Sequence, residues 1–267
     1  MSEHPPTHPI ITLLTDFGTA DGYVGVLKGV IANIAPSAKV IDISHGIPPQ
    51  NIRAAAFLLS ESWRYFPAGT IHVAVVDPGV GSTRRGLAAQ SGAGHFVGPD
   101  NGVLTTAFET GAIIRSLENS DFWLEGVSNT FHGRDIFAPV AANLAAGCDF
   151  CRLGPEIDDP VRFSVLKPIA DGNAWIGEIV YTDHFGNLVT NFTEEFLRKP
   201  EMGPGWAITL EDKSVWPVVT TYSEVPAGNP CAVVGGFQRL ELAINGGNAS
   251  ATSGSVIGDQ VWLAPGH

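Results

Sequence analysis

Between residues 10 and 76 the chain alternates short apolar runs with segments whose apolar residues recur at helical spacing, an order that few folds accept. Residues 10–15 form a largely apolar run closing on Asp16-Phe17-Gly18, which reads as a buried strand with a polar loop at its C-terminal end. Residues 23–34 then place Val24, Leu27, Ile31 and Ile34 on one side of a helix. A second strand is expected at 40–43, a second helix at 52–65 with apolar residues at 52, 56, 59 and 63, and a third strand at 71–76. Strand, helix, strand, helix, strand implies a parallel sheet joined by right-handed crossovers. Ligands on such sheets sit beyond the carboxyl ends of the strands. Asp16, the region of His45, and Asp77 all fall there.

A turn at 98–102 leads into a short helix, and a further helical stretch at 135–146 closes this part of the chain. After Pro160 the helical period disappears. Short β-rich runs at 174–182, 188–191, 206–210, 215–220, 231–234, 240–244 and 261–263 stand between Gly, Pro and Asn clusters, as in a small β-barrel or sandwich. Residues 245–254, rich in Gly, Asn, Ser and Ala, read as a loop. The fold class expected is α/β. A mostly parallel N-terminal α/β sandwich domain covers residues 1–167 and a smaller C-terminal β-barrel domain covers 168–267.

Composition narrows the partners. Of the 267 residues 44% are hydrophobic and 16% charged, with a formal net charge of −12, so nucleic acid and anionic membrane are excluded as partners while a cationic ligand is tolerated. No apolar run approaches the roughly 20 residues that span a bilayer. Residues 1–6 show no basic or apolar leader pattern, so a cytoplasmic protein is expected. Cys148-Asp149-Phe150-Cys151 has no second pair at zinc spacing, and no paired-histidine motif occurs, so no metal is expected. The chain carries neither a GxGxxG nor a P-loop pattern.

Three polar, glycine-flanked stretches remain: Val76-Asp77-Pro78-Gly79-Val80-Gly81-Ser82-Thr83-Arg84, Thr130-Phe131-His132-Gly133-Arg134-Asp135, and Asp183-His184-Phe185-Gly186-Asn187. Asp77 could be a turn carboxylate capping local N–H groups. Alternatively, the glycine-rich loop folds back and pairs it with Arg84, which would keep it ionised and aimed. His132 could be structural, or with an Asp and an Arg could orient and deprotonate water. Asp21 reads as the N-cap of the helix at Tyr23. Asp16, at a strand end, suits hydrogen bonding to ribose hydroxyls.

In this order, these motifs resemble the S-adenosylmethionine (SAM) hydroxide adenosyltransferases, adenosine-forming SAM hydrolases related to fluorinase and chlorinase. The resemblance runs from Leu14-Thr15-Asp16-Phe17-Gly18 through Asp42-Ile43-Ser44-His45, the 77–81 and 98–102 loops and 131–135 to the 183–191 segment. It implies homotrimers whose sites lie between one subunit's first domain and a neighbour's second. It implies attack of water or hydroxide on C5′ of SAM, releasing adenosine and L-methionine, with no further cofactor. Asp77, Arg84 and His132 match the family's catalytic set. Asp16 matches the ribose carboxylate, Asp21 and Asp183 the acids near the methionine ammonium, and Phe185 and Asn187 the adenine-facing segment. Tyr222 matches an aromatic near the base.

Fluorinase carries tyrosines where this chain has Asp77 and His132, a serine at Gly133, a tryptophan at Gln50, and a Ser-Arg pair at Gly236-Phe237. Backbone N–H groups around Gly235-Gly236 are expected to replace that pair at the methionine carboxylate. Hydrolysis is the reading adopted. The alternatives are a chlorinase-like halide transferase, which Gly133 by itself would suit, and a module that binds SAM or adenosine without turnover. SAM-dependent methyl transfer is a third, and would yield S-adenosylhomocysteine.

Overall fold

The computed structural model describes residues 8–164, 167–199, 202 and 205–266; residues 1–6, read above for a leader, lie outside these. The chain divides into two units, Met1–Phe163 and Ser164–His267. The first contains β1 (Ile10–Thr15), α1 (Tyr23–Ile34), β2 (Lys39–Ser44), α2 (Ile52–Ser62), β3 (Thr70–Val75), β4 (Gly86–Ser91), β5 (Gly94–Pro99), α3 (Thr105–Glu109), β6 (Ile113–Ser116) and α4 (Ala138–Ala145). Its sheet has the order β2-β1-β3-β5-β4-β6. β1 runs parallel to β2 and β3, and β3 parallel to β5, whereas β4 pairs antiparallel with β5 and β6. β1 is buried along almost its whole length because elements cover both of its faces. Ile11, Leu13, Leu27, Ile31, Val140 and Ala141 belong to one core cluster.

A polar pair sits inside this sheet. Thr12 on β1 hydrogen-bonds the Nδ1 of His72 on β3 at 2.9 Å, and the imidazole stacks on Phe96 at 5.0 Å. Burial pushes the His72 pKa down to about 4. The unfolded chain protonates this histidine near 6.5, so between those values the unfolded state binds more protons and acid favours it. Stability is therefore expected to fall by about 3 kcal/mol as pH drops from 7 to 4. Urea unfolding across that range should show a shallower slope for His72→Asn. An equal slope in both proteins would remove the assignment.

Two local expectations need correction, and three strands were not foreseen. Asp21 does not cap α1: Gly22 occupies the N-cap and contributes no side-chain bond. The stretch expected to be one helix from 135 begins as a π-helical turn, Gly133–Phe137, and only then becomes α4. Pro139 has no N–H to offer Asp135, four residues back, and that carbonyl instead accepts the N–H of Leu124 at 2.9 Å. The hairpin β4–β5 and strand β6 were not anticipated, since Gly86–Ser91 is alanine-containing and lacks a β-branched pattern.

The second unit contains β7 (Ile169–Asp171), β8 (Ala174–Thr182), β9 (Leu188–Thr193), α5 (Glu194–Leu197), β10 (Trp206–Thr209), β11 (Val215–Pro217), β12 (Pro230–Val234), β13 (Arg239–Ile244), α6 (Ala249–Ser253) and β14 (Gln260–Pro265). The strand order is β11-β10-β14-β8-β9-β13-β12, with β7 on β8. Every strand pair is antiparallel, and a bridge between Val218 and Ala232 draws the two ends together into a nearly closed barrel. Phe192, Ile208, Leu240, Leu242 and Leu263 fill its core. The 245–254 stretch is not simply a loop. Asn248 accepts the N–H of Ala251 at 2.7 Å and starts the short α6, a capping signal inside a loop-like composition.

Candidate active site

Strand β3 ends at Val75, and Asp77 follows one buried residue later. The strand end is fixed by Asn101, whose Nδ2 donates to the Val76 carbonyl at 2.8 Å. From Asp77 the chain turns back on itself through bonds from Val80 N–H to the Asp77 carbonyl and from Ser82 Oγ to the Gly79 carbonyl. That reversal returns Arg84 to Asp77. Nε of Arg84 lies 2.9 Å from Asp77 Oδ1, and Nη2 donates to Oδ2. The guanidinium also lies over the Phe137 ring at 5.2 Å, and the two charged side chains are only 11% and 6% exposed. A forked, largely desolvated ion pair of this kind fixes direction as well as charge.

The same Nη2 reaches His132 Nδ1 at 2.8 Å. A guanidinium only donates, so Nδ1 must be the accepting nitrogen. The proton of the neutral ring is then on Nε2. Burial, followed by the nearby Arg84 charge, lowers the His132 pKa, with Asp77 and Asp135 opposing. At neutral pH the ring is therefore uncharged and offers an N–H from its far side. Sequence reasoning had expected His132 to share in accepting a proton from water; this geometry makes it a donor.

His132 is held in place from below. It stands at the entrance to the π-helical turn, where buried Asp135 accepts from Ser128 N–H at 2.8 Å and from Arg134 Nε at 2.6 Å. Gly133 packs between aromatic rings: a Cβ there would lie 3.3 Å from Phe17 Cζ and 3.6 Å from Phe131 Cε2. Phe17, Tyr23 and Phe131 form an edge-to-face cluster with centroids 5.4–6.1 Å apart.

Asp16 and Asp21 lie on the loop after β1. Asp16 Oδ2 accepts the backbone N–H of Gln50 at 2.8 Å, and Gln50 takes the left-handed conformation at φ 65°. Thr15 and His45 tie the same two loops together, Oγ1 to Nδ1 at 2.8 Å, and Gly18 N–H donates to the His45 carbonyl at 2.9 Å. His45 Nε2 lies 3.1 Å from Asp42 Oδ1. Asp21 is exposed and makes no cap.

In the second unit, Asp183 closes its own loop, Oδ1 accepting from Phe185 N–H at 2.9 Å and Asn187 N–H at 2.8 Å. Phe185 is left exposed and Asn187 is buried. Tyr222 donates its hydroxyl to Glu241 Oε1 at 2.5 Å. Glu241 thus bonds two of the residues singled out from the sequence, Asn187 and Tyr222, and sequence reading missed it. Its signal was present: a charged residue between Leu240 and Leu242, in a strand buried on both faces. Gly236 is exposed and Phe237 packs edge-on to Tyr181 at 6.1 Å. At Gly235-Gly236, where backbone N–H groups were expected to take a carboxylate, one of the two donors is already engaged. The Gly235 N–H is spent on the Arg239 carbonyl at 2.9 Å, and a Cβ at 235 would sit 1.8 Å from Glu241 Oε2.

These features define a class: a parallel-rich α/β unit with an acid–guanidinium–imidazole chain at its strand ends, followed by a barrel-like antiparallel unit. Sequence models of the SAM hydroxide adenosyltransferase N-terminal and C-terminal domains match residues 11–154 and 177–262. The chain is 38% identical to a Salinispora tropica protein named (R)-S-adenosyl-L-methionine hydrolase, over 97% of this chain and 98% of that one. It is 41% identical to a Thermus thermophilus protein of the same name, over 95% and 98%. Similarity to a fluorinase of Actinoplanes sp. is lower, 30% over 89% and 91%. An uncharacterized conserved protein of Thermotoga maritima superposes with a TM-score of 0.88 at 35% identity, covering 95% of this chain and all of that one. The chain belongs to the SAM hydroxide adenosyltransferase family. Among the described residues, no helix is long and apolar enough to cross a membrane.

Proposed function

We propose that the protein hydrolyses SAM to adenosine and L-methionine by attack of water or hydroxide at C5′. The observation that carries this reading is the bonded chain from Asp77 through Arg84 to His132, in a chain similar over nearly its full length to proteins named for that hydrolysis. The leaving group is a neutral thioether departing from a sulfonium, so no acid is required to release it. The site must instead place a partly desolvated oxygen in line with the C5′–S bond.

His132 Nε2–H holds that oxygen, while Arg84 keeps the ring in the donating tautomer and keeps Asp77 ionised. The proton leaves late, once the C–O bond is forming and the oxygen has become acidic, and passes to bulk water, since both Asp77 oxygens are held by Arg84. Asp16 binds the ribose hydroxyls, its second oxygen fixed by Gln50 N–H. Asp21 and Asp183 attract the methionine ammonium, and Phe185, Asn187 and Tyr222 face the adenine. SAM is itself the substrate and the displacement needs no metal or cofactor. We further place the protein in the cytoplasm as a homotrimer, each site drawing on a neighbouring subunit, as the family resemblance implies.

Incubation with SAM in isotopically labelled water tests the reaction and the nucleophile together. Label in the 5′-hydroxyl of adenosine is expected, from whichever sulfonium epimer is consumed. A chloride arm tests the reading that Gly133 alone suggested: 5′-chloroadenosine would replace hydrolysis with halide transfer, and S-adenosylhomocysteine would indicate methyl transfer. Binding without any product would leave only a SAM-sequestering module.

A further inference from the structure

We propose that Glu241 is a positioning residue that dictates which end of the Asn187 amide meets the substrate, and thereby selects a purine with an amino rather than an oxo group at position 6. The proposal rests on the reading that Asn187 faces the base of an adenosyl substrate.

Glu241 is 4% exposed on β13. Its Oε1 accepts from Tyr222 Oη at 2.5 Å and from Asn187 Nδ2 at 3.4 Å, and the same Nδ2 donates to Asp183 Oδ2 at 3.0 Å. One end of the Asn187 amide therefore faces two carboxylates. Only the NH2 end can occupy that position, because a carbonyl oxygen there would meet two acceptors and no donor. The amide orientation follows from this chemistry.

Two consequences reach the ligand. Asn187 Oδ1 is turned away from the carboxylates, and among the described residues no hydrogen bond is made to it. Tyr222 has committed its only proton to Glu241, and burial together with that bond holds the phenol protonated well above the usual tyrosine range. Both groups are thus left with lone pairs to offer. Acceptors recognise a donor, as on the exocyclic amine of adenine. A 6-oxo purine presents a carbonyl instead, and its acceptor would face theirs unpaired.

The fit around Glu241 is close enough to hold this arrangement. A Cβ at Gly235 would fall 1.8 Å from Oε2 and 2.2 Å from Cδ, so the hairpin backbone presses directly on the carboxylate. Only glycine leaves room for it.

The test compares Glu241→Gln with wild type on SAM and on its hypoxanthine (6-oxo) analogue, with circular dichroism and thermal melting as folding controls. Glutamine keeps the shape but can offer an N–H to Asn187, which permits the amide to turn over. The expected result is a rise in KM for SAM of about tenfold or more with kcat within a few-fold, and a tenfold or larger collapse in the preference for the amino over the oxo substrate. An unchanged preference, or a loss confined to kcat, would overturn the proposal.

If Glu241→Gln fails to fold, Tyr222→Phe provides the second variant. It removes one of the donors that Glu241 holds, and must shift the same preference in the same direction; no shift overturns the proposal. Calorimetric binding of adenosine and inosine separates this inference from the hydrolysis reading. A wild type that prefers adenosine, with the preference lost in the variant, supports Glu241 even if SAM is never turned over. Equal binding of both nucleosides, or of neither, by wild type would overturn it.

Discussion

Alanine at Asp77 or at His132 is expected to lower SAM turnover by about 10²-fold or more while SAM still binds within a few-fold of wild type. The reason is mechanical as well as chemical. His132 acts as a donor only because Arg84 supplies the N–H that its Nδ1 accepts, and Arg84 is aimed only because Asp77 holds its fork. Arg84→Lys should therefore cost nearly as much, since an ammonium cannot bridge a carboxylate and a ring nitrogen in fixed geometry. Acid should have a related effect. Protonation of Nδ1 would set an N–H against the guanidinium, so kcat is expected to fall as pH drops through the lowered His132 pKa, below 6.5. Single-turnover rates with equilibrium binding of SAM measure the two effects separately. Unaltered rates in both alanine variants would strip Asp77 and His132 of their assigned roles.

The second large effect concerns Gly81, which carries no functional group. Its φ is +76°, and a Cβ there would lie 2.2 Å from the Asn129 carbonyl oxygen and 3.2 Å from the carbonyl carbon. Both atoms are backbone, so no side chain can swing aside. The contact joins the loop bearing Arg84 to the segment leading into His132. Gly81→Ala is expected to destabilise the protein by about 2–4 kcal/mol, from left-handed strain plus the clash. The fraction that remains folded should also turn over slowly, because relief of the clash moves Arg84 away from His132. Gly92→Ala serves as the control, since a Cβ at Gly92 meets nothing within 4 Å. Melting temperature and folded-state kcat decide the matter; a Gly81→Ala protein matching the control in both would contradict the packing described here.

Legibility from sequence varied along the chain for identifiable reasons. β1, α1 and β8 were readable to their ends because burial on both faces, a helical stripe and a long β-rich run leave distinct patterns. Strand β4 left none: Gly-Leu-Ala-Ala-Gln-Ser is a strand because its neighbours pair with it. Asp21 had a capping residue's chemistry, yet the N-cap of α1 is Gly22. At the site, the Asp77, Arg84 and His132 side chains could be chosen from glycine-flanked motifs and from resemblance. Glu241 showed only as an acid between two leucines, and a lone acid in a strand does not say which residues will surround it.

Periodicity and punctuation are local properties, and they alone carried the order of elements, the change from helical to β-rich character after Pro160, and the identity of the polar loops. Which nitrogen of His132 holds the proton, and which end of the Asn187 amide turns outward, depend on donors and acceptors many residues away: Arg84 for the first, Asp183 and Glu241 for the second. Hydrogen-bond polarity belongs to pairs of groups, and only the folded chain brings those pairs together.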